Sequence, residues 1–110
     1  PENQGVVTCI HFHYITVEAV CSDMSRLAKF RGLSSLTFNR NHIFYMQQLE
    51  ALRQLPTLVS LTVSENPVCE MRSALKMTAI RLLPRLQEFN GQVITEEERQ
   101  MGRQVFDALE

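Results

Sequence analysis

Apolar residues in the middle of the chain recur with one fixed rhythm. Leu33, Leu36, Phe38 and Ile43 fall around a single asparagine, Asn41, and Leu58, Leu61, Val63 and Val68 fall in the same order around Asn66. Each position follows its counterpart by 25 residues. Leu36 and Phe38 are two apart, so in a strand they share one face, and Leu33 and Ile43 turn in with them where the chain rounds its corners. The pattern therefore predicts adjacent parallel strands over 33–38 and 58–63. The amides of Asn41 and Asn66 each offer two donors and an acceptor. They are assigned to pairing the backbone of the turns, whose groups cost about 1–3 kcal/mol each if buried unpaired.

The flanking segments extend the rhythm. Ile10 and Phe12 precede Leu36 and Phe38 by 26 residues, but Ile15 stands where an asparagine is expected, so 6–15 reads as a degenerate first unit. Val17, Val20, Cys21, Met24, Leu27 and Ala28 predict one helix face, with Thr16 as N-cap and Gly32 as the stop. Tyr45, Leu49 and Leu52 predict a second helix, ended before Pro56. From Glu70 to Leu83 the spacing predicts a longer helix, with Met71, Ala74, Leu75, Thr78, Ala79 and Leu82 on one face and Met77 and Ile80 on the other. Leu86 and Phe89 predict a last short strand. Thr95 and Glu98 form a capping box for a tail helix whose buried stripe is Met101, Val105, Ala108 and Leu109. That helix closes the stack, as the end of a repeat array requires.

A period of 25 with this pattern resembles a leucine-rich repeat. Asn66-Pro67-Val68, the run from Leu82-Leu-Pro through Leu86, Phe89, Asn90 and Gly91, and Val93-Ile-Thr95 with Glu98-Arg99 resemble the cap of intracellular leucine-rich-repeat proteins of the phosphatase-regulator and spliceosomal A-prime types. Asn90 replaces the family's usual aspartate and Leu75 its usual aromatic. The implied fold is α/β: a short leucine-rich-repeat solenoid with parallel strands on the concave side, helices on the convex side and a helical C-terminal cap. Residues 1–68 are expected to hold three short repeats, the first degenerate, and 69–110 the cap, all in one domain. The order of the segments also resembles the second repeat domain of the leucine-rich subunit of the tubulin polyglutamylase complex. That resemblance implies a non-catalytic protein–protein interaction module of a larger cytoskeletal, centrosomal or ciliary scaffold. The spliceosomal likeness implies an alternative, an adaptor in an RNA–protein complex that binds a small RNA-binding partner protein.

Composition narrows the chemistry. No apolar run reaches the ~20 residues of a membrane helix, no signal-peptide pattern stands at the start, and the chain, opening on Pro1, is expected to be a piece of a longer protein. Three unpatterned cysteines, Cys9, Cys21 and Cys69, argue against a disulfide framework and for a reducing cytoplasmic setting. Net charge is −1, so direct nucleic-acid binding is not expected. Charge is nonetheless segregated: 26–85 carries nine basic residues against three acids. No catalytic constellation, cofactor motif or metal set stands out. Cys9, His11 and His13 share a strand face but lie ~6.5–7 Å apart in succession, too far for one ion. The expected partner-binding surface is the concave one: His11, His13, Thr37, Asn39, Arg40, Thr62, Ser64 and Glu65. It is small and polar, with no large aromatic. Met77 and Ile80, and the uncapped N-terminal edge before Val6, through which the chain is expected to self-associate, are the other candidate surfaces.

Overall fold

The computed structural model describes residues 7–109, with side-chain environments through Gly102. Among the described residues five strands form one mixed sheet in the order of the sequence: β1 (Cys9–His13), β2 (Ser35–Asn39), β3 (Ser60–Ser64), β4 (Glu88–Phe89) and β5 (Gln92–Val93). The first four run parallel, and the expected pairing of 33–38 with 58–63 is present, with Leu36 opposite Leu61 and Phe38 opposite Val63. β1 joins with Ile10 opposite Leu36 and Phe12 opposite Phe38. The alternation of β2 and β3 is strict: Leu36, Phe38, Leu61 and Val63 are buried, while the residues between them are half-exposed. Parallel strands need a crossover, and the chain supplies one after each of β1, β2 and β3 on the buried side of the sheet.

Each of the first four strands is followed by a residue in the same unusual conformation. Tyr14, Arg40, Glu65 and Asn90 all have φ between 51° and 60°, a left-handed conformation that costs a residue with a side chain roughly 1–2 kcal/mol. The residue that follows the turn differs in placement from unit to unit: Ile15 and Gly91, after Tyr14 and Asn90, are exposed. In the second and third units that residue is Asn41 or Asn66, both buried. Asn66 Oδ1 accepts from Asn41 N (2.7 Å) and Ile43 N (3.2 Å), and its Nδ2 donates to Ser64 O (2.8 Å). Asn41 works backwards: its Nδ2 donates to Phe12 O (3.3 Å) and Ile15 O (2.6 Å). The first unit has no asparagine, and Asn41 pairs its turn for it. The cost is that Asn41 Oδ1 is buried without a partner. The reverse amide orientation would set that oxygen against two carbonyls.

The crossovers differ from expectation in detail. The helix expected over 17–30 is two short pieces, α1 (Val17–Ser22) and α2 (Met24–Leu27), broken at Asp23. Val17, Val20, Met24 and Leu27 are buried, but Ala28 is exposed. Thr16 caps α1, accepting from Ala19 N. The second crossover is a 3₁₀ helix, Met46–Gln54, rather than an α-helix. Its inward residues are Met46, Leu49, Leu52 and Leu55, a period of three that matches three residues per turn, while Tyr45 points out to solvent, 69 % exposed. Gln48 fastens its start by accepting from Phe44 N and Tyr45 N and donating to Glu18 Oε2 and His42 O.

After β3 a 3₁₀ turn (Pro67–Glu70) leads into α3 (Arg72–Leu82). Leu75, Ala79, Ile80 and Leu82 of α3 are buried; Met71 and Ala74, expected inside, are exposed. β4 and β5 form an antiparallel hairpin that the reading of the sequence did not include, although Asn90-Gly91, with φ of 51° and 79°, supplies the two left-handed residues of a tight hairpin turn. Asn90 Oδ1 accepts from Val63 N. α4 (Glu96–Leu109) begins with the expected capping box: Glu98 N donates to Thr95 Oγ1 (3.1 Å) and Thr95 N to Glu98 Oε1 (3.0 Å).

Two predictions follow from how α4 sits on α3. Met101 is exposed at 54 % and Gly102 is buried, so the helix presents its glycine, not its methionine, to Met77 and Ile80; Val105, Ala108 and Leu109 lie outside the residues whose side chains are described. A Cβ on Gly102 would meet Ile80 and Met77 at 3.5 and 3.6 Å, ordinary contact. Gly102→Ala is therefore expected to stabilise the fold by about 0.5–1 kcal/mol, read as a melting temperature raised by a few degrees. Glu98 also carries an ion pair with Lys76 (2.6 Å). That bond first, and then the Thr95 N–H, hold its carboxyl below the ordinary value of 4.5. A carboxyl lowered on folding adds stability that is complete above the unfolded value and is lost as pH falls through the folded one. Melting temperature should thus decline below pH 4.5, and Glu98→Gln should flatten that limb. The pair is partly exposed, so the effect is expected below about 1 kcal/mol.

Candidate functional site

The sheet's outer face carries the residues singled out in the sequence, and the strand register sorts them into rows. Cys9, Ser35, Ser60 and Glu88 form the first; His11, Thr37 and Thr62 the second; His13, Asn39 and Ser64 the third. Asn39 Nδ2 donates to Ser64 Oγ at 3.0 Å. The fourth row is the line of left-handed turns, where Arg40 Nη2 and Nε lie 2.6 and 2.8 Å from Glu65 Oε2.

That row holds a residue the sequence reading missed. Tyr14 is 72 % exposed; Arg40 donates to its hydroxyl and lies over its ring, 5.3 Å from the centroid. An aromatic and an arginine, stacked and braced by a carboxylate, are residue types enriched in binding hot spots. The face is thus not devoid of large aromatics. Its signal was the spacing: Tyr14 precedes Arg40 by 26 residues and Glu65 by 51. His42, Phe44 and Tyr45, just after Arg40 in the chain, form a separate exposed aromatic cluster, with His42 and Phe44 rings 6.3 Å apart.

Met77 and Ile80 do not form a free surface, because α4 covers them through Gly102. The N-terminal edge before Val6 lies outside the described residues. Beside β1, a groove of ≈ 610 Å³ opens between the sheet and the first crossover, walled by Phe12, Ile15, Ala19, Leu27 and Phe30. Among the described residues no three His, Cys, Asp or Glu side chains converge on a space for a metal ion. Cys9 and His11 nevertheless lie closer than strand spacing suggests, with Sγ 3.1 Å from Nε2. Burial, and secondarily Glu18, push the Cys21 thiol up, away from nucleophilic character. No helix among the described residues is long and apolar enough to cross a membrane.

No family model matches the chain. It is 38% identical over 78 residues to human cilia- and flagella-associated protein 410, an alignment covering 70% of this chain and 30% of that one. It is 44% identical over 69 residues to the mouse protein of the same name, covering 62% and 28%. The chain thus spans less than a third of the length of the curated relatives it matches. Among solved structures, one of the Chaetomium Mex67:Mtr2 subunits superposes with a TM-score of 0.48 at 16% identity, covering 87% of this chain and 88% of that one.

Proposed function

We propose that this chain is a short leucine-rich-repeat solenoid serving as a non-catalytic docking module in a ciliary or cytoskeletal protein. The observation that carries the reading is the recurrence, at one spacing, of strand, left-handed turn and buried asparagine, which makes the outer sheet face a platform of aligned side chains. The ciliary setting is taken from the names of the human and mouse relatives. On this reading the partner is a protein. It engages the rows of His11, His13, Thr37, Asn39, Thr62 and Ser64, and its strongest contacts fall on the Tyr14–Arg40–Glu65 row. Asn41 and Asn66 hold the platform's shape and touch no partner.

The test is affinity capture from ciliated cells with the chain fused to a tag. Capture of ciliary or centrosomal proteins that falls at least tenfold with Tyr14→Ala plus Arg40→Ala, at unchanged melting temperature, supports both the setting and the surface. Capture unaffected by that pair moves the docking surface elsewhere. Absence of ciliary or centrosomal proteins from the captured set overturns the setting.

A further inference from the structure

Among the described residues β1 is the end strand of the sheet, and the backbone geometry says which of its groups face outward. Thr8 O accepts from Ser34 N and Ser35 N, and Tyr14 N donates to Asn39 O. Backbone groups of successive strand residues point to opposite sides, so the even-numbered residues of this strand pair with β2. Cys9, His11 and His13 therefore aim their N–H and C=O groups at the open edge, where no described residue meets them. An open edge with an apolar groove beside it is a template for another strand.

The strand is also nearly symmetric in chemistry about His11. Cys9 and His13, both zinc-ligand types, flank it at two residues, and Ile10 and Phe12, both apolar and half-buried, at one. An antiparallel second copy centred on His11 sets Cys9 opposite His13, His11 opposite His11, and Ile10 opposite Phe12. The pairs at 9, 11 and 13 are then the hydrogen-bonded ones, each exchanging two N–H···O bonds. The Ile10 and Phe12 pairs fall on the core side, where each copy leaves its groove open.

We propose that a second copy of this chain pairs along β1 in this register and that zinc fastens the pair, each ion held by Cys9 and His11 of one copy and His13 of the other. Within one chain the set is incomplete. Cys9 and His11 touch, but the His11 and His13 rings are stacked 6.0 Å apart at 12°, so their nitrogens do not converge on one point. Across an antiparallel pair, opposite Cβ atoms lie about 4.5–5.5 Å apart. That span suits a thiolate and an imidazole bound at about 2.3 and 2.0 Å. The two-fold axis makes two equal sites, one ion per chain, each with three protein ligands and a position open to water. Cys9 binds as thiolate and its proton is released to solvent. The inference stands on the edge strand and does not rest on the docking role proposed above.

Analytical ultracentrifugation of the 110-residue chain, kept reduced with a phosphine, tests this. The wild type is expected to be monomeric in EDTA and dimeric with equimolar zinc, binding one zinc per chain. His13→Ala alone, and Cys9→Ser with His11→Ala alone, are each expected to stay monomeric in zinc. Mixed, those two variants complete one shared site and should form a dimer carrying one zinc per two chains. All three positions are exposed, and matching far-ultraviolet circular dichroism of wild type and variants establishes that each is folded; His13→Asn serves if His13→Ala is not. A wild type that stays monomeric in zinc overturns the proposal, as does a His13→Ala chain that dimerises like wild type. So does a mixture that fails to dimerise, since the sites would then not be shared between copies.

Discussion

Asn66→Ala is expected to be the most destabilising polar substitution in the chain. The side chain removed is buried, accepts from two main-chain N–H groups of the preceding unit and donates to a carbonyl of its own strand. Alanine leaves two donors and an acceptor buried without partners, at about 1–3 kcal/mol for each group. The sum, at least about 3 kcal/mol, is a large part of the 5–15 kcal/mol that a domain has to lose. Urea denaturation followed by circular dichroism should show the midpoint shifted strongly down. Asn66→Asp keeps the acceptor for both N–H groups but sets a second oxygen against Ser64 O and buries a charge, so it should be destabilised relative to wild type while retaining the two bonds that alanine loses. Asn41→Ala should cost less than Asn66→Ala. It frees two carbonyls, which are better tolerated unpaired than N–H groups, and it removes an oxygen that has no partner in the native state. Equal losses at the two asparagines would mean that the turn ladder is not what these residues supply.

This asymmetry marks how far the sequence could be read. The strand pairing was legible because an apolar residue at every second position has one way to bury, and two such stretches at one spacing have one way to stack. The asparagine role was legible for the same reason: a polar residue at a fixed place in a buried turn must satisfy backbone. Which neighbour it satisfies was not legible, because that depends on what the adjacent unit lacks. Ile15 lacks an amide, and Asn41 reaches back for it.

The crossovers were harder to read. Val17, Val20, Met24 and Leu27 fit one helix or two short ones equally well, and only the turn at Asp23 decides. An α-helix and a 3₁₀ helix both bring Leu49 and Leu52 inward, and the difference of about 20° per residue between them shows only at the ends of the stripe, where the 3₁₀ helix takes Met46 in place of Tyr45. The series Met46, Leu49, Leu52, Leu55 distinguishes them only once Leu55 is counted in the helix stripe rather than as its end. Gly102 was missed for a different reason. Hydropathy favours Met101 on the buried side, but a helix packed closely on α3 needs its smallest residue at the contact. At the site, Tyr14 was passed over because its neighbour Ile15 hides the repeat; the structure recovers it through the φ it shares with Arg40 and Glu65.

The largest apolar effect is expected at Phe38. Its side chain is fully buried, stacks on Phe12 at 5.5 Å between ring centroids, and sits between Phe12 and Val63 in the sheet register. Truncation to alanine removes the contacts of a ring and leaves a cavity that strands held on both sides cannot close, so Phe38→Ala is expected to cost about 3–5 kcal/mol. Phe12→Ala removes a ring of the same size from the last strand, where one side is already open to the groove beside β1. Less area returns to water and the site can collapse, so its cost should be clearly smaller. Thr37→Ala, one residue from Phe38 on the outer face, should lie within about 0.5 kcal/mol of wild type. Urea midpoints for the three variants, measured in EDTA so that the edge strand stands alone, give the comparison. A gradient with Phe38 far above Phe12 and Thr37 near zero is what a core anchored on β2 and thinning toward β1 requires. A Phe12→Ala loss as large as that of Phe38→Ala would mean that the edge is sealed even without metal.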